Sequence, residues 1–194
     1  MIRQILVGAL VSIGILASAQ VGYGQQPPFG LSDGNNAPGG HNAQKDGHVQ
    51  QWFAQYDNIR RQAQMNPDEK ARADKMLAGG MAMMVPGPEK IAVGQLLQKL
   101  VQSNQQAANQ MKGMRLYPET EQLHRGYYKY FTDAQALFND YITLQNNLFA
   151  TDASGKSVAS QLIVRKQALA DLDQSNKMLD SQLRAQFGIP PYHY

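Results

Sequence analysis

The sequence predicts an all-α fold: an elongated up-and-down bundle of four to five helices, preceded by a signal peptide and a disordered N-terminal tether. Three observations carry this. Apolar residues recur at helical spacing from Val49 to Phe187. Several segments open with the same chemistry, a proline followed directly by acidic residues. Two long apolar-striped segments are joined by the short polar stretch 151–156, and helices joined so closely must lie antiparallel.

Residues 1–19 read as an export signal. Arg3 precedes an uncharged apolar run from Ile5 to Ala17, and the run ends in Ala17-Ser18-Ala19, small residues of the kind signal peptidase cleaves behind. Cleavage after Gly24 is the alternative, because Gly22 and Gly24 also place small residues correctly. The run is too short to span a bilayer without its flanks, and no later segment approaches the roughly 20 apolar residues a span needs. The expected location is therefore the periplasm or the exterior, away from ATP, nicotinamide cofactors and nucleic acid. Residues 20–47 are rich in Gln, Gly, Pro and Asn, with almost nothing to bury, and are expected to form the tether.

The bundle is expected over residues 48–189. Val49, Trp52, Phe53, Tyr56 and Ile59 mark one face of a first helix, from His48 to near Met65. Asn66-Pro67-Asp68-Glu69 opens a second, with Asn66 as its cap, Ala73, Met76 and Leu77 inward, and Gly79-Gly80 as its stop. Residues 81–85 lead into a rigid connector, Pro86-Gly87-Pro88. A third helix starts at Pro88, carries Val93, Leu96, Leu97, Leu100, Ala107, Met111 and Met114, and stops near Gly113. From about Pro118 to Phe149 two apolar columns recur every seven residues, Leu123, Tyr130, Leu137 and Leu144 beside Tyr127, Ala134, Tyr141 and Leu148. With Phe131 and Phe138 the stripe is wider than a two-stranded coiled-coil seam, as suits a bundle helix. The last helix places Val158, Leu162, Leu169, Leu172, Leu179, Leu183 and Phe187 inward and closes at Gly188, leaving 190–194 as a short tail.

Composition excludes several chemistries. The chain has no cysteine, so disulfides, thiolate metal sites and thiol catalysis are ruled out. It also lacks an Asn-x-Ser/Thr acceptor, which favours a bacterial envelope over a eukaryotic secretory route. The net charge of +3 is spread out, with Arg60-Arg61 and Arg165-Lys166 the only adjacent basic pairs, so no nucleic-acid surface is expected. Glu121 and His124 have the E-x-x-H spacing of di-iron bundles, but that chemistry needs a second such pair and further glutamates. Here only Glu69, Glu89 and Glu119 remain. No nucleophile motif is present. Neither a cofactor nor catalysis is expected.

The candidate contacts are of other kinds. His124, Arg125 and Tyr128 form a possible patch on the flank of the long stripe, and Gly126 among them points to a close approach by a neighbour. Arg165 and Asn176 fall on the apolar seam of the last helix, so each either finds a buried partner or the helix rolls to expose it; an anion pocket around Arg165 is the functional version. Met81, Met83 and Met84 offer thioethers to Cu(I). Gln95, Gln98, Gln102, Gln105, Gln106 and Gln110 keep one helix soluble without fixed charge and suit adaptable contacts with extended clients. The expected function is that of an exported, non-catalytic protein-binding or holdase-like module. Metal or small-ligand binding is the alternative.

Overall fold

The computed structural model describes residues 43–71 and 87–193. Four helices dominate: α1 (Ala43–Ala63), α2 (Pro88–Gly113), α3 (Glu121–Asn146) and α4 (Val158–Phe187). Residues 67–71 form a further helical segment. Among the described residues there is no strand, only an isolated bridge between Thr151 and Ser157. The fold is an all-α helical bundle. The export segment, residues 20–42 of the tether, the inward set Ala73, Met76 and Leu77, and the trio Met81, Met83 and Met84 lie outside the described residues.

Helix α1 begins five residues inside the stretch assigned from sequence to the tether. Apolar periodicity starts only at Val49, so it carries no record of the turn before it. From there the expected face holds: Val49, Trp52, Phe53, Tyr56 and Ile59 are all buried. Trp52 and Tyr56, four apart, stack at 5.0 Å, and Phe53 meets both edge-on. At the next start, Asn66 Oδ1 accepts from the Glu69 amide at 2.8 Å while Glu69 Oε2 accepts from the Asn66 amide at 3.1 Å. That is a reciprocal capping box, with Asn in place of Ser or Thr.

Helix α3 is shorter than its stripe predicted. Residues 118–120 turn before it, Thr120 is its N-cap, and it ends at Asn146. Its 26 residues span about 39 Å. Leu148 therefore belongs to a turn. The Thr151–Ser157 connection is built around Asp152, whose Oδ1 accepts from the Ser154 and Lys156 amides and the Ser154 hydroxyl. A bond from the Gln161 amide to its other oxygen, and then those from Ser154 and Lys156, hold its carboxyl well below the usual range. Gly155 takes the left-handed conformation the turn requires, at φ 79°.

The core divides into two clusters. The first joins the early part of α2, the later part of α3 and the early part of α4 through Val93, Leu97, Leu137, Tyr141, Leu144 and Leu162. The second joins α1, the end of α2 and the start of α3 through Trp52, Phe53, Tyr56, Met111, Leu123 and Tyr127. Leu179, Leu183 and Phe187 of α4 pack against this second cluster but are only partly buried. The fully buried line on that part of α4 is instead Asp173, Asn176, Asp180 and Arg184. The expected apolar seam is thus corrected: the helix is rolled, and its leucines flank a polar centre line.

Candidate functional site

Four charged side chains meet between α1 and α4. Asp57 and Arg60 sit on α1, Asp180 and Arg184 one turn apart on α4. Arg184 Nε donates to both Asp180 oxygens, at 3.0 and 3.1 Å, and its terminal nitrogens grip Asp57, with Nη1 3.2 Å from Oδ2 and Nη2 paired to Oδ1. Arg60 Nη1 lies 3.4 Å from Asp180 Oδ2. Both arginines are 3% exposed. Two positive and two negative groups leave the cluster neutral, which is what allows it to be buried at all. Burial opposes the charge on Arg184 most strongly, yet its bonds to Asp57 and Asp180 outweigh this and raise its pKa.

Aromatic rings wall the cluster. The Arg60 guanidinium centre lies 4.0 Å from the ring centroid of Tyr192, 4.7 Å from that of Tyr127 and 5.0 Å from that of Tyr56. The Tyr56 hydroxyl is pushed well above its ordinary pKa, first by burial and then by Tyr127, so it stays neutral beside the charges. The residues read from sequence as a short tail belong to this wall. Gly188 caps α4 in the left-handed conformation, φ 62°, and Ile189 N–H returns to Arg184 O at 2.9 Å. Pro190 O then accepts from Arg184 Nη1 at 2.8 Å, and the Tyr192 hydroxyl meets Gln64 Oε1 at 3.1 Å.

Sequence reasoning missed this cluster. In the sequence Arg60 stands out only as half of an adjacent basic pair with Arg61. A signal was present: Asp173, Asn176, Asp180 and Arg184 continue, at spacings of three, four and four, the line begun by Leu162 and Leu169. A polar line in register with an apolar one marks a buried polar seam.

The patch proposed around His124 does not assemble. His124 is 7% exposed, with Nε2 2.5 Å from Met111 O, so Nε2 carries the proton and donates it to that carbonyl. It points inward because the end of α2 lies against the flank that a lone α3 would expose, and offers it the Met111 carbonyl. Arg125 and Tyr128 face outward, Arg125 paired with Glu121 at 2.5 Å and Tyr128 39% exposed. The E-x-x-H pair is thereby split between a backbone carbonyl and an arginine. Among the described residues no group of three His, Cys, Asp or Glu is placed to hold a metal ion, and no helix is long and apolar enough to cross a membrane.

The remaining candidates separate in the same way. Arg165 is exposed and engaged, with Asp140 Oδ2 at 2.5 Å and Gln161 Oε1 at 3.1 Å, so its guanidinium is already neutralised. Asn176 is buried against Gly126, where an added Cβ would stand 2.1 Å from its Oδ1. The close approach expected at Gly126 is real, and the neighbour is a side chain. On α2 the amides of Gln102, Gln105, Gln106, Asn109 and Gln110 line an open depression without a charged group, Gln110 donating across to Gln62 of α1 at 3.1 Å. The chain matches no protein-family model, no curated protein and no solved structure.

Proposed function

We propose that this chain is an exported, non-catalytic bundle protein of the periplasm or cell exterior, carried behind a cleaved signal, that binds protein clients in a holdase-like manner. Its helices are read as an up-and-down arrangement. Supporting this, Gly126 meets Asn176 while Asp140, further along α3, meets Arg165, nearer the start of α4.

The observation that carries the binding reading is the amide-lined depression on α2. Each primary amide offers two donors and an acceptor, which suits the backbone N–H and C=O groups of an extended chain whatever its sequence. The absence of fixed charge in the lining imposes no preference for acidic or basic clients. The carboxylates and guanidinia of the buried cluster are committed to one another, which leaves them unsuited to acid–base work.

Light scattering of insulin aggregating after reduction tests the proposal. The purified protein should suppress the scattering in the absence of metal and nucleotide. Gln102→Glu, Gln105→Glu and Gln106→Glu together should abolish that effect while leaving the helical circular dichroism unchanged. No suppression by the unmodified protein at molar excess overturns the reading.

A further inference from the structure

The C-terminal segment is bonded to the bundle in the manner of a bound peptide. Residues 189–193 have no regular secondary structure, yet Ile189 packs against the second core cluster. The Pro190 carbonyl accepts from Arg184 Nη1 at 2.8 Å. Two residues on, the Tyr192 ring covers the Arg60 guanidinium at 4.0 Å and its hydroxyl reaches Gln64 at 3.1 Å. The receiving groups come chiefly from α1 and α4: Arg60 in the last turn of one and Gln64 just past its end, with Arg184 in the last turn of the other. Arg184 is held by Asp57 and Asp180 and Arg60 by Asp180, contacts that orient both guanidinia independently of the tail.

We propose that this α1–α4 surface is a binding site for an extended proline–aromatic peptide, and that the protein's own tail occupies it in cis. The ligand it selects has a backbone carbonyl for Arg184, restricted φ angles that keep the strand extended, and a tyrosine two residues later to lie on Arg60 and hydrogen-bond Gln64. Two adjacent prolines, Pro190 and Pro191, keep the tail in that shape before it docks, so little conformational freedom is lost on binding. An exchangeable tail of this kind makes occupancy by another chain conditional on release of the resident one. The site shares no lining residue with the amide face of α2, and the proposal does not depend on the client-binding reading.

Because the tail is tethered through Gly188 directly to α4, its effective concentration at the site is on the order of millimolar, enough to mask a micromolar competitor. The probe is a fluorescein-labelled hexapeptide copying residues 189–194, titrated against the full-length protein with anisotropy as the readout. Wild type should bind it weakly. Tyr192→Ala, which removes the resident anchor and leaves the groove walls intact, should bind it at least about tenfold more tightly, and the same peptide with alanine at the Tyr192 position should lose that gain. A second variant, Pro190→Gly with Pro191→Gly, loosens the tail without removing Tyr192 and should move affinity in the same direction. If both variants retain wild-type circular dichroism and neither binds better than wild type, the site is refuted. Equal binding of the alanine peptide refutes it as well.

Discussion

The two halves of the core fill the same helical framework by different physics. Around Val93, Leu137, Leu144 and Leu162 the contacts are apolar, so stabilisation scales with area removed from water and tolerates small slips of one helix along another. Around Asp57, Arg60, Asp180 and Arg184 the centre line of α4 is polar, and the helices meet through hydrogen bonds of fixed direction. An apolar line in place of that seam would supply comparable stability with less desolvation cost. What the charges add is register: Arg184 satisfies Asp180 and Asp57 together at only one setting of α4 against α1. Apolar and aromatic contacts hold the bundle together, α1 included, and the charged cluster fixes where α4 meets α1.

The sharpest way to break this contrast is to unbalance the charged half. Asp180→Ala removes the carboxylate that the buried Arg60 and Arg184 share, and should cost about 3–5 kcal/mol in urea unfolding. Replacing all four groups together, Asp57→Leu, Arg60→Met, Asp180→Leu and Arg184→Met, should cost far less, because no uncompensated charge remains. If Asp180→Ala proves as mild as the fourfold replacement, the network is solvated and the contrast fails.

A smaller effect is expected where α3 and α4 touch most closely. Gly126→Ala drives a methyl to 2.1 Å from Asn176 Oδ1. Asn176 is buried and must move, so the substitution should cost about 1–3 kcal/mol despite the gain in helix propensity. Adding Asn176→Ala should restore most of the loss. Non-additivity of the two changes in a double-mutant cycle is the measurement.

Much of the fold was legible because its signals are local. Asn66 with Pro67, Pro88 and Gly188 marked helix ends through capping chemistry confined to a single turn. The stripe on α3 was legible because its helical members share one face of one helix, although that face feeds both core clusters. The ends of α3 were not, since heptad spacing at Leu148 runs past the point where the chain turns. The candidate site was largely hidden. Arg60 and Asp180 are 120 positions apart, and neither has a local feature that separates a buried arginine from a surface one. His124 was misplaced for a related reason: angular position on α3 alone omits the end of α2 that covers it. The tail was missed because the Gln64 that receives Tyr192 lies 128 positions before it, with Arg60 a turn earlier still.

The smallest effect expected sharpens the comparison from the apolar half. Tyr141 lies buried there, and its hydroxyl has no hydrogen-bond partner among the described residues. Burial pushes its pKa up from 10.0 to about 12. Between those values the unfolded chain gives up a proton that the folded one keeps, so the folded state binds more protons and stability falls as pH rises. The loss should begin near pH 10 and level off above pH 12. Tyr141→Phe removes both the unsatisfied hydroxyl and the ionisation. It should stabilise the protein at neutral pH by about 1 kcal/mol, and its advantage over wild type should widen between pH 10 and 12 in urea unfolding. Tyr56, in the charged half, is raised as well but stands beside Arg60, whose charge lowers its pKa. An alkaline profile left unchanged by Tyr141→Phe would assign the ionisation to Tyr56, and would mean that the apolar half is wetter around Tyr141 than its packing implies.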